Sequence, residues 1–396
     1  MIDMDCYTAV MTGKGTGAIS TVQVCGEDSE SVITQIFKSA SQKTSLFKTG
    51  EILLGSIYDD DKKIDEVTIG CEGPITFAIH CHGNPLIVEN IIQLLRKHGV
   101  QVLTDEQLQK KILLSQNQIN VIAVEAMLAQ AQAKTFQGTK IIMNQVKYGL
   151  SKAIQDWLSD IEKISLDSIQ KQADEILHNS ATANLIIFGC KTILAGPPNT
   201  GKSTLLNCLA GRQKSIVTDI SGTTRDWVTA QCQIELLLLE LVDTAGLDEN
   251  LSVSSDSIDK TAQRKTLELI KNADLILLVL DKSKDTELDY SVFEHVSNKK
   301  IITVLNKSDL PAKFNINKLP GFLSNTVKIS AKEQTGIENL ISSIHQTCGT
   351  ANFDLRTPVC FTDRQKKLLT KLSQTQSKQQ SVSLMTEILK NSLNLL

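Results

Sequence analysis

Residues 196–203 read Gly196-Pro-Pro-Asn-Thr-Gly-Lys-Ser203, with Thr204 directly behind them. The string fits Gly-x-x-x-x-Gly-Lys-Ser, the loop whose backbone N–H groups wrap the phosphates of a nucleotide. Thr192-Ile-Leu-Ala195 before it reads as a short buried strand, and residues 204–211 after it read as a helix. Gly196 and Gly201 can take backbone angles that a side chain forbids. The helix that follows aims its positive end at the phosphates. Lys202 is expected to reach the β- and γ-phosphates and Ser203 to ligate magnesium. Asn199, Thr200 and Thr204 complete the expected contacts of this loop.

At 396 residues the chain is too long for one ordinary domain. Its 41% apolar content supports real cores, and its 21% of charged residues is ordinary for a soluble protein. A net charge of −3 gives no global pull on nucleic acid, so RNA contact would need a local basic patch. The start, Met1-Ile-Asp-Met-Asp-Cys6, lacks the basic-then-apolar order of a secretory leader. The longest apolar runs, such as residues 234–242, fall far short of the roughly 20 residues that span a bilayer. Nine cysteines without a Cys-x-x-Cys pair suit a reducing cytoplasm. A cytoplasmic protein without membrane contact is expected.

Residues 1–116 read as a small α+β domain, with strand-like stretches at 8–11, 19–24, 51–57 and 77–81 and helical spacing over 86–98. Gly13, Gly15 and Gly17 suggest a turn more than a phosphate site. His80-Cys81-His82 invites a zinc reading, but alternate strand residues face opposite ways and no further ligand cluster lies nearby. A structural strand end is the better reading.

From 117 to 189 the pattern turns helical, over 121–145, 148–164 and 166–179. Residues 190–349 alternate strands and helices, with paired strands at 231–235 and 236–242 and apolar buried strands at 274–280 and 300–305. Residues 350–396 return to helix, at 363–372 and 382–396, with a polar loop near 373–380. The fold class expected is an α/β P-loop GTPase domain with a mostly parallel sheet, inserted in an α-helical domain, behind an N-terminal α+β domain.

Four further stretches make the phosphate loop specific. Asp243-Thr244-Ala245-Gly246 follows a strand; its carboxylate would hold magnesium through water, and the Gly246 amide would meet the γ-phosphate. Asn306-Lys307-Ser308-Asp309 follows the strand ending at Leu305, and Asp309 can accept two hydrogen bonds from guanine that adenine does not offer. Ser330-Ala331-Lys332 would close the base pocket. The stretch Thr218-Asp219-Ile220-Ser221-Gly222-Thr223-Thr224-Arg-Asp226 is the candidate first switch, with a threonine to close on magnesium. Motifs in this order point to GTP.

The chain resembles the bacterial tRNA modification GTPase family MnmE, also called TrmE. Gly222-Thr-Thr-Arg-Asp226 and the Pro197-x-Asn-x-Gly-Lys-Ser203 loop carry the likeness most strongly; Ala9, Gly13, Gly17, Ile64-Asp-Glu66 and His80-Cys-His-Gly83 carry it more loosely. It covers nearly the whole chain and is strongest over 191–332. The resemblance implies an N-terminal domain that binds a formyl-folate and dimerises, a GTPase domain inserted among helices, and wobble-uridine tRNA modification with an FAD-dependent partner. It also implies potassium where other GTPases use an arginine finger, since Leu247 stands where a catalytic glutamine could be. Asn199 would offer its side-chain oxygen, and carbonyls near Thr218, Ile220 and Thr223 the rest; a plain turn role for Asn199 is the alternative. Thr224 would contact magnesium. Asp259 falls where the family places a water-positioning glutamate, though a solvated helix-end carboxylate explains it equally well.

Departures point elsewhere. The family's folate arginine is Gln23 here, its glutamate is Ala78, and its lysine falls near Gln118. These neutral residues argue against folate binding. No cysteine follows Cys360, so the family's Cys-x-Gly-Lys tail is also expected to be missing, a truncated gene being the alternative. A second reading is therefore a GTP-dependent switch or ribosome-assembly factor without modification chemistry.

Overall fold

A computed structural model of the chain describes residues 5–13, 15–40, 47–115, 120–211, 228–243, 271–285 and 299–390. The chain divides into two compact units, one running to Ile119 and the other beginning at Asn120.

The first unit is built on strands β1 (Tyr7–Val10), β2 (Ile19–Cys25), β3 (Phe37–Ser39), β4 (Ile52–Asp59), β5 (Lys62–Gly73), β6 (Thr76–His82) and β7 (Gln101–Val102). They form one sheet in the order β3-β4-β5-β6-β2-β1-β7, antiparallel except where β7 joins β1. Helices α1 (Ser29–Ile36), α2 (Pro85–Lys97) and α3 (Asp105–Ser115) accompany it. Helix α2 starts where Asn84 Oδ1 accepts from the Leu86 amide at 2.9 Å, with proline at its first position. Its apolar side buries Ile91 and Leu95 in a core with Val22, Val24 and Ile79. Strand β5 escapes a reading for apolar runs because charged residues interrupt it. Its inward positions Val67, Ile69 and Cys71 still alternate, as a half-buried strand requires.

The His80-Cys81-His82 stretch is a strand end. His80 Nδ1 pairs with Thr21 Oγ1 at 3.0 Å, and His82 Nδ1 meets Asp65 Oδ1 at 2.7 Å. The Cys81 thiol faces the other way, and burial, with Asp65 adding to it, pushes its pKa up to about 11. Among the described residues no group of three or more ligands could hold a metal.

The second unit carries β8 (Cys190–Ala195), β9 (Val228–Ile234), β10 (Leu237–Asp243), β11 (Leu275–Asp281), β12 (Lys300–Asn306) and β13 (Thr326–Lys328), in the order β13-β12-β11-β8-β10-β9. Only the β9–β10 hairpin is antiparallel. Every residue of β11 is buried; Ile276, Leu278 and Leu280 enter one core layer, while Leu275, Leu277 and Val279 enter the other. A sheet covered on both faces explains its unbroken apolar run.

Helices α4 (Val121–Gln130), α5 (Phe136–Lys147), α6 (Leu150–Ser159) and α7 (Leu166–Phe188) precede the sheet. Helix α8 (Lys202–Gly211) follows β8, and α9 (Ile337–Cys348), α10 (Asp363–Ser373) and α11 (Lys378–Leu389) come later. The single helix expected over 121–145 is two. Thr135 starts α5 by accepting from the Gly138 amide at 2.8 Å while its hydroxyl donates to the Ile186 carbonyl at 2.7 Å. Gly138 permits that crossing, since a Cβ there would lie 2.7 Å from Ile187 Cα. Helix α7 runs past the expected 179 because Leu185, Ile186 and Ile187 are buried, and it stops at Gly189, whose φ is 86°. Helix α11 begins earlier than expected, capped by Ser377, whose Oγ accepts from the Gln380 amide. Glu125 of α4 takes Arg364 of α10 in a two-pronged pair, at 2.6 and 2.9 Å. No helix among the described residues is long and apolar enough to cross a membrane.

Candidate functional site

The carboxyl ends of β8, β10, β11 and β12 point the same way, and the loops leaving them carry the polar residues singled out above. This is where open α/β sheets bind ligands. The loop from Gly196 to Gly201 joins β8 to α8, as expected. Gly196 has φ 136°, and a Cβ there would meet the Val279 carbonyl at 2.2 Å. Gly201 has φ 92°, and its Cβ would meet Asn306 Nδ2 at 2.4 Å. Neither position admits another residue without displacing backbone or a buried amide. Asn199 is exposed and left-handed, at φ 62°. The loop therefore has the shape of a phosphate cradle.

Lys202 is 4% exposed and folds over the loop, Nζ donating to the Gly196 and Pro197 carbonyls at 3.0 and 2.9 Å. Thr200 Oγ1 donates to the Pro197 carbonyl at 3.0 Å. Ser203 Oγ donates to Asp243 Oδ2 at 2.6 Å. Two hard oxygens held this close, one a carboxylate, form a donor set that suits magnesium. Thr204 sits exposed in the first turn of α8.

The base-side motifs converge on the same loop. Asn306 is 2% exposed and bridges it: Nδ2 donates to the Thr200 carbonyl at 2.8 Å, while Oδ1 accepts from the Ala331 amide at 3.0 Å. Lys307, left-handed at φ 61°, donates to the Asn199 carbonyl at 2.7 Å and to Asp281 Oδ2 at 2.8 Å. The Ser308 amide donates to the Ile329 carbonyl at 2.9 Å, fastening the strand ends together. Asp309 stays exposed; a hydrogen bond from Ser330, its own backbone amide, and the charges of Lys332 and Lys307 hold its carboxyl below the ordinary range. It is a fixed anion open to solvent, able to accept two hydrogen bonds. The structure thus brings Asn199, Thr200, Lys202, Ser203, Asp243, Asn306, Lys307, Asp309 and the 330–332 stretch to one end of the sheet.

The remaining assignments lie outside the described residues. These are Thr218, Asp219, Ile220, Ser221, Gly222, Thr223 and Thr224 of the first switch, Thr244, Ala245 and Gly246 after Asp243, and Asp259.

One site residue escaped the sequence reading. Asp281 closes β11, receives Lys307, and also accepts from the amide and hydroxyl of Ser283 at 2.9 and 2.7 Å. A buried charge ending an apolar strand on the ligand-binding edge was the signal available for it.

Comparison with known proteins follows the same division. The family described as "50S ribosome-binding GTPase" matches residues 191–307, and that described as "GTP-binding protein TrmE N-terminus" matches residues 6–105. The protein named tRNA modification GTPase MnmE from Clostridioides difficile is 32% identical over 376 residues, covering 86% of this chain and 81% of that one. Its namesake from Alkaliphilus oremlandii is 31% identical over 375 residues, covering 85% and 80%. Among solved structures, the G domain of the T. maritima FeoB iron transporter is 26% identical, covering 40% of this chain and 98% of that one, at a TM-score of 0.29.

Proposed function

The chain belongs to the tRNA modification GTPase MnmE family, and from that premise we propose how its residues carry the activity. It binds and hydrolyses GTP and serves the modification of tRNA at the wobble uridine. The observation that carries the site assignment is the Asn306 bridge. One buried amide holds the phosphate loop at Thr200 and the 330–332 loop at Ala331, so that base and phosphates of one nucleotide are read by a single rigid frame.

Within that frame Asp309 selects guanine, and Ser330, Ala331 and Lys332 line the base. The amides from Asn199 to Thr204 bind the phosphates, with Lys202 leaving the loop carbonyls to meet them. Ser203 and Asp243 would hold magnesium, together with Thr224; the ion supplies positive charge against the phosphate oxygens. Asn199, with carbonyls near Thr218, Ile220 and Thr223, would hold potassium, which neutralises charge developing between the outer phosphates. The left-handed Asn199 supports this, because its carbonyl is tied to Lys307 while the residue itself is exposed. Asp259 is kept as the residue proposed to position water.

We further propose the division 1–116, 117–189, 190–349 and 350–396, with the GTPase domain inserted among helices. Contact between helices from either side of it supports that layout, Glu125 and Arg364 above all. A homodimer in the cytoplasm, acting with an FAD-dependent partner, completes the proposal.

The test is direct. Titration with GTP, ATP and xanthosine triphosphate, then hydrolysis in potassium and magnesium, should show GTP preferred and cleaved. Equal affinity for ATP and GTP would remove Asp309 from its role.

A further inference from the structure

The overall charge of −3 leaves RNA recognition to a local surface, and the helical part of the second unit has one. No acidic residue occurs between Glu125 and Asp156, while Lys134, Lys140, Lys147 and Lys152 all fall there. Lys134 pairs with Glu240 and Lys152 with Asp156. Lys140 and Lys147 have no carboxylate partner among the described residues.

Both lysines stand on the exposed side of α5, with Phe136 and Met143 at alternating four- and three-residue steps, so the four share one face. Phe136 is 68% exposed, and Lys140 Nζ lies 4.5 Å from its ring centroid. Tyr148 is 49% exposed, and it carries two cations: Lys147 Nζ and the Arg356 guanidinium, each 5.2 Å from the centroid. The platform is rigid. Asn144 Nδ2 donates to the Leu355 carbonyl at 2.9 Å, and Gln145 Nε2 to the Thr357 carbonyl at 3.1 Å, fixing the segment that bears Arg356 against α5. A hollow of about 640 Å³ opens between them.

Two exposed aromatic rings interleaved with three cations make a surface for unpaired nucleotides: bases stack on rings or guanidinium planes, and phosphates meet the lysines. An apolar protein partner would instead have to desolvate three cations, and the hollow between α5 and the Arg356 segment offers them one carboxylate, that of Asp354. Asp156 and Asp160 lie on the far side of Tyr148, the first of them paired with Lys152. We propose that the α5 face, with Arg356, is the platform that grips single-stranded nucleotides of the RNA substrate. This rests on the tRNA reading above and deepens it.

The test uses the full chain and an anticodon stem–loop transcript, with affinity measured across a salt series. Lys140→Ala with Lys147→Ala should weaken binding about tenfold and lower the salt slope by about 1.4, since each contact to a single strand contributes about 0.7. Tyr148→Ala should weaken binding by about tenfold, while Tyr148→Phe stays within about twofold of the native chain. GTP hydrolysis and the urea midpoint should not move in any of them. Native-like RNA affinity and slope in the double variant would overturn the platform and leave the GTPase reading standing. So would a native chain that hydrolyses GTP but binds no RNA, or variants that lose only self-association or a protein partner. Failure of the native chain to hydrolyse GTP would instead strike the functional reading itself.

Discussion

Asn306 Nδ2 donates to the Thr200 carbonyl at 2.8 Å, so the residue that opens the base-recognition motif physically holds the phosphate loop. Asn306→Ala leaves that carbonyl and the Ala331 amide without their buried partner. The expected cost is about 1–3 kcal/mol of stability, with GTP affinity reduced at least about tenfold because both halves of the site loosen. Urea unfolding and nucleotide titration measure the two effects separately. A variant that keeps native stability and affinity would show the bridge to be dispensable.

Asp309 supplies two acceptor oxygens, whereas an asparagine side chain in its place would supply one acceptor and one donor. Asp309→Asn should weaken GTP by about a hundredfold or more and improve xanthosine triphosphate, whose ring offers the complementary pattern. Competition titration of both nucleotides on native and variant chains gives the ratio, and an unchanged ratio would reject the assignment.

The Asp281–Lys307 pair sets a pH dependence. Burial pushes the Asp281 carboxyl up, but hydrogen bonds from Lys307 and Ser283 outweigh it and hold the pKa below its ordinary value of 3.8. A carboxyl with a depressed folded pKa binds its proton more readily in the unfolded chain. Its stabilisation is therefore complete above about pH 4 and is lost as pH falls through the folded value. Lys307→Met should cost about 1–3 kcal/mol near pH 7, and the gap from the native chain should shrink below about pH 4. Urea midpoints at the two pH values test this; a constant gap would mean that the ion pair is not its source.

With Leu247 where a glutamine could orient water, hydrolysis should depend on the monovalent ion. The rate in potassium is expected to exceed that in sodium at least about tenfold at equal ionic strength. Asn199→Ala should erase most of that difference. Equal native rates in the two salts would dismiss the potassium site.

The nucleotide motifs were legible because they are short contiguous strings, most of them read at a strand end; among the described residues these are the loops after β8 and β12 and Asp243 at the end of β10. What ties the motifs together was not. The contacts from Asn306 to Thr200 and from Lys307 to Asn199 span more than a hundred residues, and Asp281 belongs to no string at all. Helix bounds failed for a related reason. Residues 121–145 keep apolar spacing throughout, and the break before Thr135 exists because α7 crosses at Gly138, which only the folded packing reveals. Strand β5 was hidden because Asp65, buried for its bond to His82, disguised an inward position as an outward one.

The one-carbon donor is where this chain should part from its family. Gln23 and Ala78, where the family resemblance calls for an arginine and a glutamate, stand directly opposite each other on β2 and β6. Opposed side chains share a face at about 5 Å between Cβ atoms, so the two departures are one change in one place. Gln23 Nε2 donates to Glu72 Oε2 at 2.5 Å, and Ala78 is 1% exposed. A 5-formyl-tetrahydrofolate would find no charge-assisted bond from either position, and its affinity for the native chain should be weaker than about 100 μM. Restoring the charges should behave as a coupled pair. Gln23→Arg alone should be tolerated, because Glu72 already stands beside it. Ala78→Glu alone should cost about 3 kcal/mol, as an unpaired buried carboxylate. The double variant should recover about 1–2 kcal/mol of that loss and be the form that binds folate most tightly. Calorimetric titration with urea unfolding on all four chains completes the cycle. Low-micromolar folate binding by the native chain, or additive effects of the two substitutions, would show that this strand pair is not where the ligand is read.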